Sequence, residues 1–325
     1  MISRIYSLLV LSSLLLFSNQ LFAEDKIKLR LSYDAAETDQ RSIALLEKFG
    51  PGVAEFASFE PHWNASLFRQ GSELIALARG NLDMTITSAW ELSEFIPDFT
   101  IFTAGYVHRD AAHQVAVFND PLMDSFKQQL QDKLGIRLLS VMYLGRRQLN
   151  LRDEKKIMTP DDLAGVNLRM PGTSAWQFLG RALGASPTPM AFSEVYTALQ
   201  SGAVDGQDNP LPTVVYSKFY EVTKQIVLTS HMVDLNYIAI ASATWDKLTM
   251  EQQQQLQQAA DETADFARKN QLELENSLVD FLQKQGLKVY EPDLTAFRTK
   301  VQSAYMQSDY AKAWPKGLLE RINDL

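Results

Sequence analysis

Short β-like runs alternate with helical patterns along the whole chain, and this alternation constrains its fold more than any other feature. Lys28 to Tyr33 alternates polar and apolar residues and predicts a strand. A helix is expected over Gly71 to Arg79, a strand over Leu82 to Thr87, a helix over Pro121 to Leu134 and a strand over Ile136 to Leu144. A strand over Val166 to Met170 follows, with helices over Ser174 to Leu183 and Phe192 to Gln200. Such alternation specifies an α/β architecture with mainly parallel sheets. One internal echo suggests two similarly built lobes. Leu77-Ala78-Arg79-Gly80-Asn81-Leu82-Asp83 and Leu199-Gln200-Ser201-Gly202-Ala203-Val204-Asp205 both read as a helix stopped by glycine, then an aspartate entering a strand. The longest element is a helix over Met250 to Gln285, about 54 Å at 1.5 Å per residue, longer than one lobe. It is expected to brace both lobes. A strand over Leu287 to Tyr290 and a helix over Pro292 to Gln307 close the chain.

The first 23 residues have the features of an export signal rather than of the fold. Arg4 starts them, Leu8 to Phe17 is apolar, and Ala23 offers a small residue before Glu24. Arg4 is their only charge, so the remainder carries a net charge of −9 against −8 for the whole chain. That acidity argues against nucleic acid, whose phosphates need a basic patch, and against anionic lipid. The chain has no cysteine, which removes disulfides, thiolate metal sites and a lipidated N-terminal cysteine. These features predict a freely diffusing protein of the periplasm, a monomer, without cofactor or metal.

No Gly-x-Ser-x-Gly elbow, phosphate-cradling glycine loop, dinucleotide fingerprint or His-Glu-x-x-His is present. The positive signal lies between Tyr143 and Pro210. Arg169 ends an apolar strand just before Pro171-Gly172, at the sheet edge where α/β folds bind ligands. Its guanidinium matches a carboxylate with two parallel hydrogen bonds; a structural ion pair is the alternative. Arg147, at the end of the preceding strand, brings a second guanidinium towards the same cleft. Asn209 closes another strand before Pro210, with an amide that both donates and accepts.

Three blocks then identify a resemblance. They are Leu168-Arg169-Met170-Pro171, Ala185-Ser186-Pro187-Thr188-Pro189-Met190-Ala191-Phe192-Ser193-Glu194-Val195-Tyr196, and Gly202-Ala203-Val204-Asp205-Gly206-Gln207-Asp208-Asn209-Pro210. Together they resemble the solute-binding proteins of tripartite ATP-independent periplasmic (TRAP) transporters, of the dicarboxylate-binding type. The resemblance covers essentially all of the chain beyond residue 23. It implies a two-lobed periplasmic binding protein fold with hinge strands and a long helix bracing both lobes. Lobe I would take residues 24–144 and 236–274, and lobe II residues 145–235 and 275–325. It also implies capture of a small carboxylate for integral membrane transporter subunits. Arg169 would be the main clamp, Arg147 would assist, and Asn209 would complete it. Phe192 would pack on the acid group, or simply on the core. Ser88 and Trp90 fall where the other lobe faces the ligand, though Trp90 equally suits a core or hinge position. The usual Leu-Gly-Asp before the first-lobe helix is replaced by Leu67-Phe68-Arg69-Gln70-Gly71, and Gln70 with Trp90 would suit a ligand with an apolar or ring face. Relatives specialised for sialic acid carry glutamate at the place of Ser88, so sialic acid is not the expected ligand. The rival reading is an exported isomerase or lyase for an organic acid, with Asp205 or Asp208 as its base.

Overall fold

The computed structural model describes residues 26–325, so the signal expected over Met1 to Ala23 lies outside the described residues. Among these, nine strands join one sheet: β1 (Ile27–Ser32), β2 (Ala57–His62), β3 (Met84–Thr87), β4 (Ile136–Leu151), β5 (Asn167–Met170), β6 (Ser186–Pro189), β7 (Gly206–Pro210), β8 (Gln225–Ala241) and β9 (Lys288–Tyr290). Their order is β2-β1-β3-β8-β4-β7-β5-β6, with β9 pairing β8. The helices needed below are α1 (Gln40–Ala44), α2 (Glu73–Ala78), α3 (Ala89–Ser93), α4 (Ser174–Ala182), α5 (Val195–Ser201) and α6 (Met250–Lys284).

Each end of the sheet repeats a parallel three-strand unit, β2-β1-β3 in one lobe and β6-β5-β7 in the other. The sequence echo sits at matching places. Helix α2 leads to β3 past Gly80 (φ 72°), and α5 leads to β7 past Gly202 (φ 78°). Asp83 Oδ2 accepts the backbone N–H of Arg30 in β1 (3.1 Å), while Asp205 Oδ2 accepts that of Asn167 in β5 (2.8 Å). The repeated aspartate thus ties its own strand to the next one. Outer strands β2 and β6 contain Pro61, and Pro187 with Pro189, which a sheet interior excludes for want of an N–H donor.

The centre departs from the expected parallel sheet. Strands β4 and β8 run antiparallel through both lobes, from Ile136 opposite Ala241 to Leu151 opposite Gln225. Strand β4 was expected to stop at Leu144 with Arg147 at a strand end; it continues to Leu151, and Arg147 lies inside it. The polar run that suggested a break is buried yet satisfied across the sheet: Arg147, Gln148 and Asn150 are 3%, 5% and 0% exposed. Buried polar groups with partners do not end a strand.

Helix α6 braces the two halves as predicted. Leu256, Ala260 and Ala264 pack with Leu29, Phe49 and Ile238, whereas Leu278 and Leu282 pack with Val195, Leu199 and Ile226. Where β4 passes between the lobes, Gln271 donates to the Leu144 carbonyl and Glu275 accepts the Arg146 N–H (2.7 Å) and the Tyr143 hydroxyl. Gly145, at φ 132°, sits at that crossing; a Cβ there would lie 2.6 Å from Pro210 Cβ. Only glycine permits both the backbone angle and the approach. No helix of the described residues is long and apolar enough to cross a membrane.

Candidate functional site

The carboxyl ends of the strands face one another across a cleft of about 580 Å³, part of it open to solvent. From one side come Asp34 after β1, Glu73 on α2 and Trp90 and Glu91 on α3. From the other come Arg169 on β5, Phe192 and Asn209. Arg147 on β4 and Asp234 on β8 form the floor.

Two guanidiniums on this floor and wall differ sharply. Arg147 Nε donates to Asp208 Oδ2 (2.7 Å), one terminal nitrogen to Asp234 Oδ2 (2.7 Å), and the other to the Asp208 carbonyl (2.6 Å). Its Cζ also lies 4.3 Å from the Trp176 ring centroid. Burial alone would raise the Asp208 carboxyl, but Arg147 and His231, whose Nε2 is 3.0 Å away, hold it well below the usual range. Arg169 is only 1% exposed and donates Nε and one terminal nitrogen to the Met190 carbonyl, at 3.0 and 2.7 Å. Among the described residues no carboxylate forms an ion pair with it. Burial pulls its affinity for the proton down to about 10; the Asp208 charge opposes this, and Arg147 adds to it less strongly. An anion entering the cleft would supply what the protein omits.

The facing wall is acidic. Burial pushes the Glu73 carboxyl up to about 9, assisted by the charge of Glu91. Burial and Asp34 push Glu91 up to about 7. Asp34 is raised as well, chiefly by burial. Arg41 on α1 also lines the cleft but is occupied. It pairs with Asp39 (2.7 Å) and donates to Asn236 and to the Tyr216 hydroxyl (3.3 Å).

Of the residues singled out in the sequence, Arg169, Arg147, Asn209, Phe192, Trp90 and Gln70 line this cleft. The Phe192 ring centroid lies 5.9 Å from Arg169 Cζ. Asn209 donates to Gln207 Oε1 (2.6 Å). Trp90 meets Trp176 of α4 edge-on, with centroids 6.1 Å apart. Gln70 bridges the cleft: its Nε2 donates to Asp34, and its Oε1 accepts the Phe192 N–H (3.0 Å). Ser88 is a correction. It is fully buried and does not line the cleft; it caps α3, accepting the Glu91 N–H while its hydroxyl donates to Glu91 Oε2 (2.9 Å). A serine before a helix is a natural cap, and that local role commits its side chain to the helix start. Asp205 and Asp208, the candidate bases of the enzyme reading, are likewise outside the cleft lining, tied to Asn167 and to Arg147. Sequence reasoning missed Asp34, Arg41, Glu73 and Glu91. Asp34 was open to discovery by the rule that exposed Arg169, since it lies two residues past the end of a strand.

The sequence that builds this cleft matches a known family. The sequence profile of bacterial extracellular solute-binding protein family 7 (DctP) matches residues 44–312. The chain belongs to this family. Its function is that of an extracellular solute-binding protein. A Vibrio cholerae family member, the sialic acid-binding periplasmic protein SiaP, is 33% identical over 264 residues, 81% of either chain. A TRAP periplasmic solute-binding protein from Roseobacter denitrificans, solved with bound 3-deoxy-D-manno-oct-2-ulosonic acid, is 63% identical. It superposes with a TM-score of 0.92, covering 92% of this chain and 99% of its own. A second family-7-like structure from that organism, solved with L-galactonate, is 29% identical with a TM-score of 0.83, covering 92% and 98%.

Proposed function

We propose that the ligand is a monocarboxylic sugar acid of the 3-deoxy-2-ulosonic type, held by its carboxylate on Arg169. The observation that carries this reading is the buried Arg169 guanidinium without a carboxylate partner. Of the three arginines lining the cleft, Arg41 and Arg147 are already neutralised by Asp39 and by Asp208 with Asp234. One free cation suits one carboxylate, not two. The 63% identical neighbour was solved with such an acid. Asn209 offers its remaining amide capacity beside the clamp, and Phe192 covers the guanidinium. Arg147 acts mainly by holding the floor.

Residues 24–144 with 236–274 and residues 145–235 with 275–325 move as two lobes about the β4–β8 crossing near Gly145. Closure joins Gln70 to Phe192 and Trp90 to Trp176. It expels water and strengthens the clamp. A charge-assisted hydrogen bond contributes about 1.5–3 kcal/mol, so two account for a large share of the roughly 8 kcal/mol of a micromolar complex. The protein works in the periplasm, which its N-terminal signal features support, and as a monomer, because one chain supplies the whole cleft. It releases its ligand unaltered.

Isothermal titration with 3-deoxy-D-manno-oct-2-ulosonic acid tests this. Saturable one-to-one binding is expected, weakened at least about 100-fold in Arg169→Ala, the effect of two lost charge-assisted bonds. Full affinity in that variant removes Arg169 from the mechanism. Conversion of the acid, followed by NMR over hours, would revive the isomerase or lyase reading.

A further inference from the structure

We infer that Glu73, Glu91 and Asp34 form a second recognition surface, which binds the hydroxyl groups of the sugar acid and rejects a second negative charge. This rests on the reading that a sugar acid anchors on Arg169. Three elements bring these carboxylates to one side of the cleft: α2, α3 and the end of β1. Glu73 decides the matter. It is 6% exposed, lines the cleft, and its Oε2 has no hydrogen-bond partner in the protein. A buried carboxyl oxygen left unpaired costs free energy, and native proteins keep such groups where a ligand or water meets them.

The neighbours of Glu73 are already committed. Thr87 Oγ1, the Ser88 N–H and the Ser88 hydroxyl all donate to Glu91 Oε2, at 3.0, 2.9 and 2.9 Å. They fix Glu91 by one oxygen and leave Oε1 without a protein donor among the described residues. Gln70 holds Asp34 in the same manner. No basic side chain fills the space between them, because Arg41 is tied to Asp39, Asn236 and Tyr216. Among the described residues no group of His, Asp or Glu side chains is arranged to hold a metal ion. Hydroxyls fit. A carboxylate accepts from one hydroxyl, a protonated carboxyl donates to the next, and a polyol chain presents both in sequence. A phosphate or second carboxylate would instead face the carboxylates of Asp34 and Glu91, whose ionised forms disfavour a second anion, while Glu73, which keeps its proton up to about 9, offers a hydroxyl a donor without adding charge. Arg169 therefore reads the head of the ligand, and this wall reads its tail.

The test is titration calorimetry with 3-deoxy-D-manno-oct-2-ulosonic acid and its 8-phosphate, with melting temperatures checking that each variant is folded. Glu73→Gln, which keeps a donor and an acceptor, should bind the parent acid within about threefold of wild type. Glu91→Ala should weaken it about tenfold or more, the scale of a lost hydrogen bond to a charged group, and Glu73→Ala about fivefold, the scale of a neutral one. The 8-phosphate should bind wild type at least about 100-fold more weakly than the parent, with a narrower gap in Glu73→Gln/Glu91→Gln, as expected of like-charge repulsion in a low-dielectric site. Wild-type affinity in both alanine variants, or equal affinity for the phosphate and the parent acid, overturns the inference. Undiminished binding by Arg169→Ala sinks the clamp alone, since the alanine variants of the wall are measured separately.

Discussion

On the floor of the cleft, Arg147 is buried with two aspartates and a histidine arranged around it; on the wall beside it, Arg169 is buried with a single backbone carbonyl. Across the gap, Glu73 is buried and Glu91 half-buried, and among the described residues neither forms an ion pair. The first arrangement is complete before a ligand arrives, so it serves the folded chain. The other two are incomplete, and each lacks what the other end of a hydroxylated acid carries. Within one cleft, the presence or absence of internal partners separates structural charge from recognition charge.

The largest effect should come from attacking the complete cluster. Arg147→Ala strands Asp208 and Asp234 in the interior and should lower unfolding stability by about 3–5 kcal/mol, read as a fall in the urea midpoint at constant slope. A near-wild-type midpoint would erase the distinction between the two arginines. Arg169→Met should behave in the opposite way. The ligand-free protein should melt no lower than wild type, since an uncompensated charge is removed, while affinity falls about 100-fold as the paired bonds are lost. A variant as unstable as Arg147→Ala would show that Arg169 is structural.

The acidic wall predicts a pH dependence. Glu73 faces Glu91 and Asp34, with Arg169 and the paired Arg147 and Arg41 beyond them. Its carboxyl titrates near 4.5 in an unfolded chain but is pushed up to about 9 in the fold. Between those values the native state holds a proton that the unfolded chain has released, so unfolding gains stability from rising pH and the native state loses it. The melting temperature of ligand-free wild type should fall between about pH 6 and pH 9. Glu73→Gln should flatten that fall, and an unchanged slope would place the proton elsewhere. The smallest change is expected for Ser88→Ala. Loss of the α3 cap should cost about 1 kcal/mol. Binding should weaken only slightly, since Thr87 and the Ser88 N–H still hold Glu91.

Much of the fold was readable because it rests on local signals. The helix α6, the strand before Arg169, and the glycine-stopped helices ahead of Asp83 and Asp205 all follow from periodicity and caps. Strand β8 and the second half of β4 escaped because their buried polar residues, among them Arg147, Asn150 and His231, resemble a loop until their partners are known. The same blindness affected the site. Ser88 looked available, yet a helix start claimed its side chain, while Glu73 and Glu91 belong to no motif that set them apart in the sequence.

The sequence by itself determined an alternating α/β chain with two similar halves, a bracing helix, and an arginine placed at a strand end beside a Pro-Gly turn. Those features depend on residues near one another along the chain. Only the tertiary structure decided which arginine remains available. The partners of Arg147 stand 61 and 87 positions away, and nothing in the spacing announces that they converge on it rather than on Arg169. Charge pairing in a buried cleft acts over a few ångströms of space, and folding alone sets which groups come within that reach.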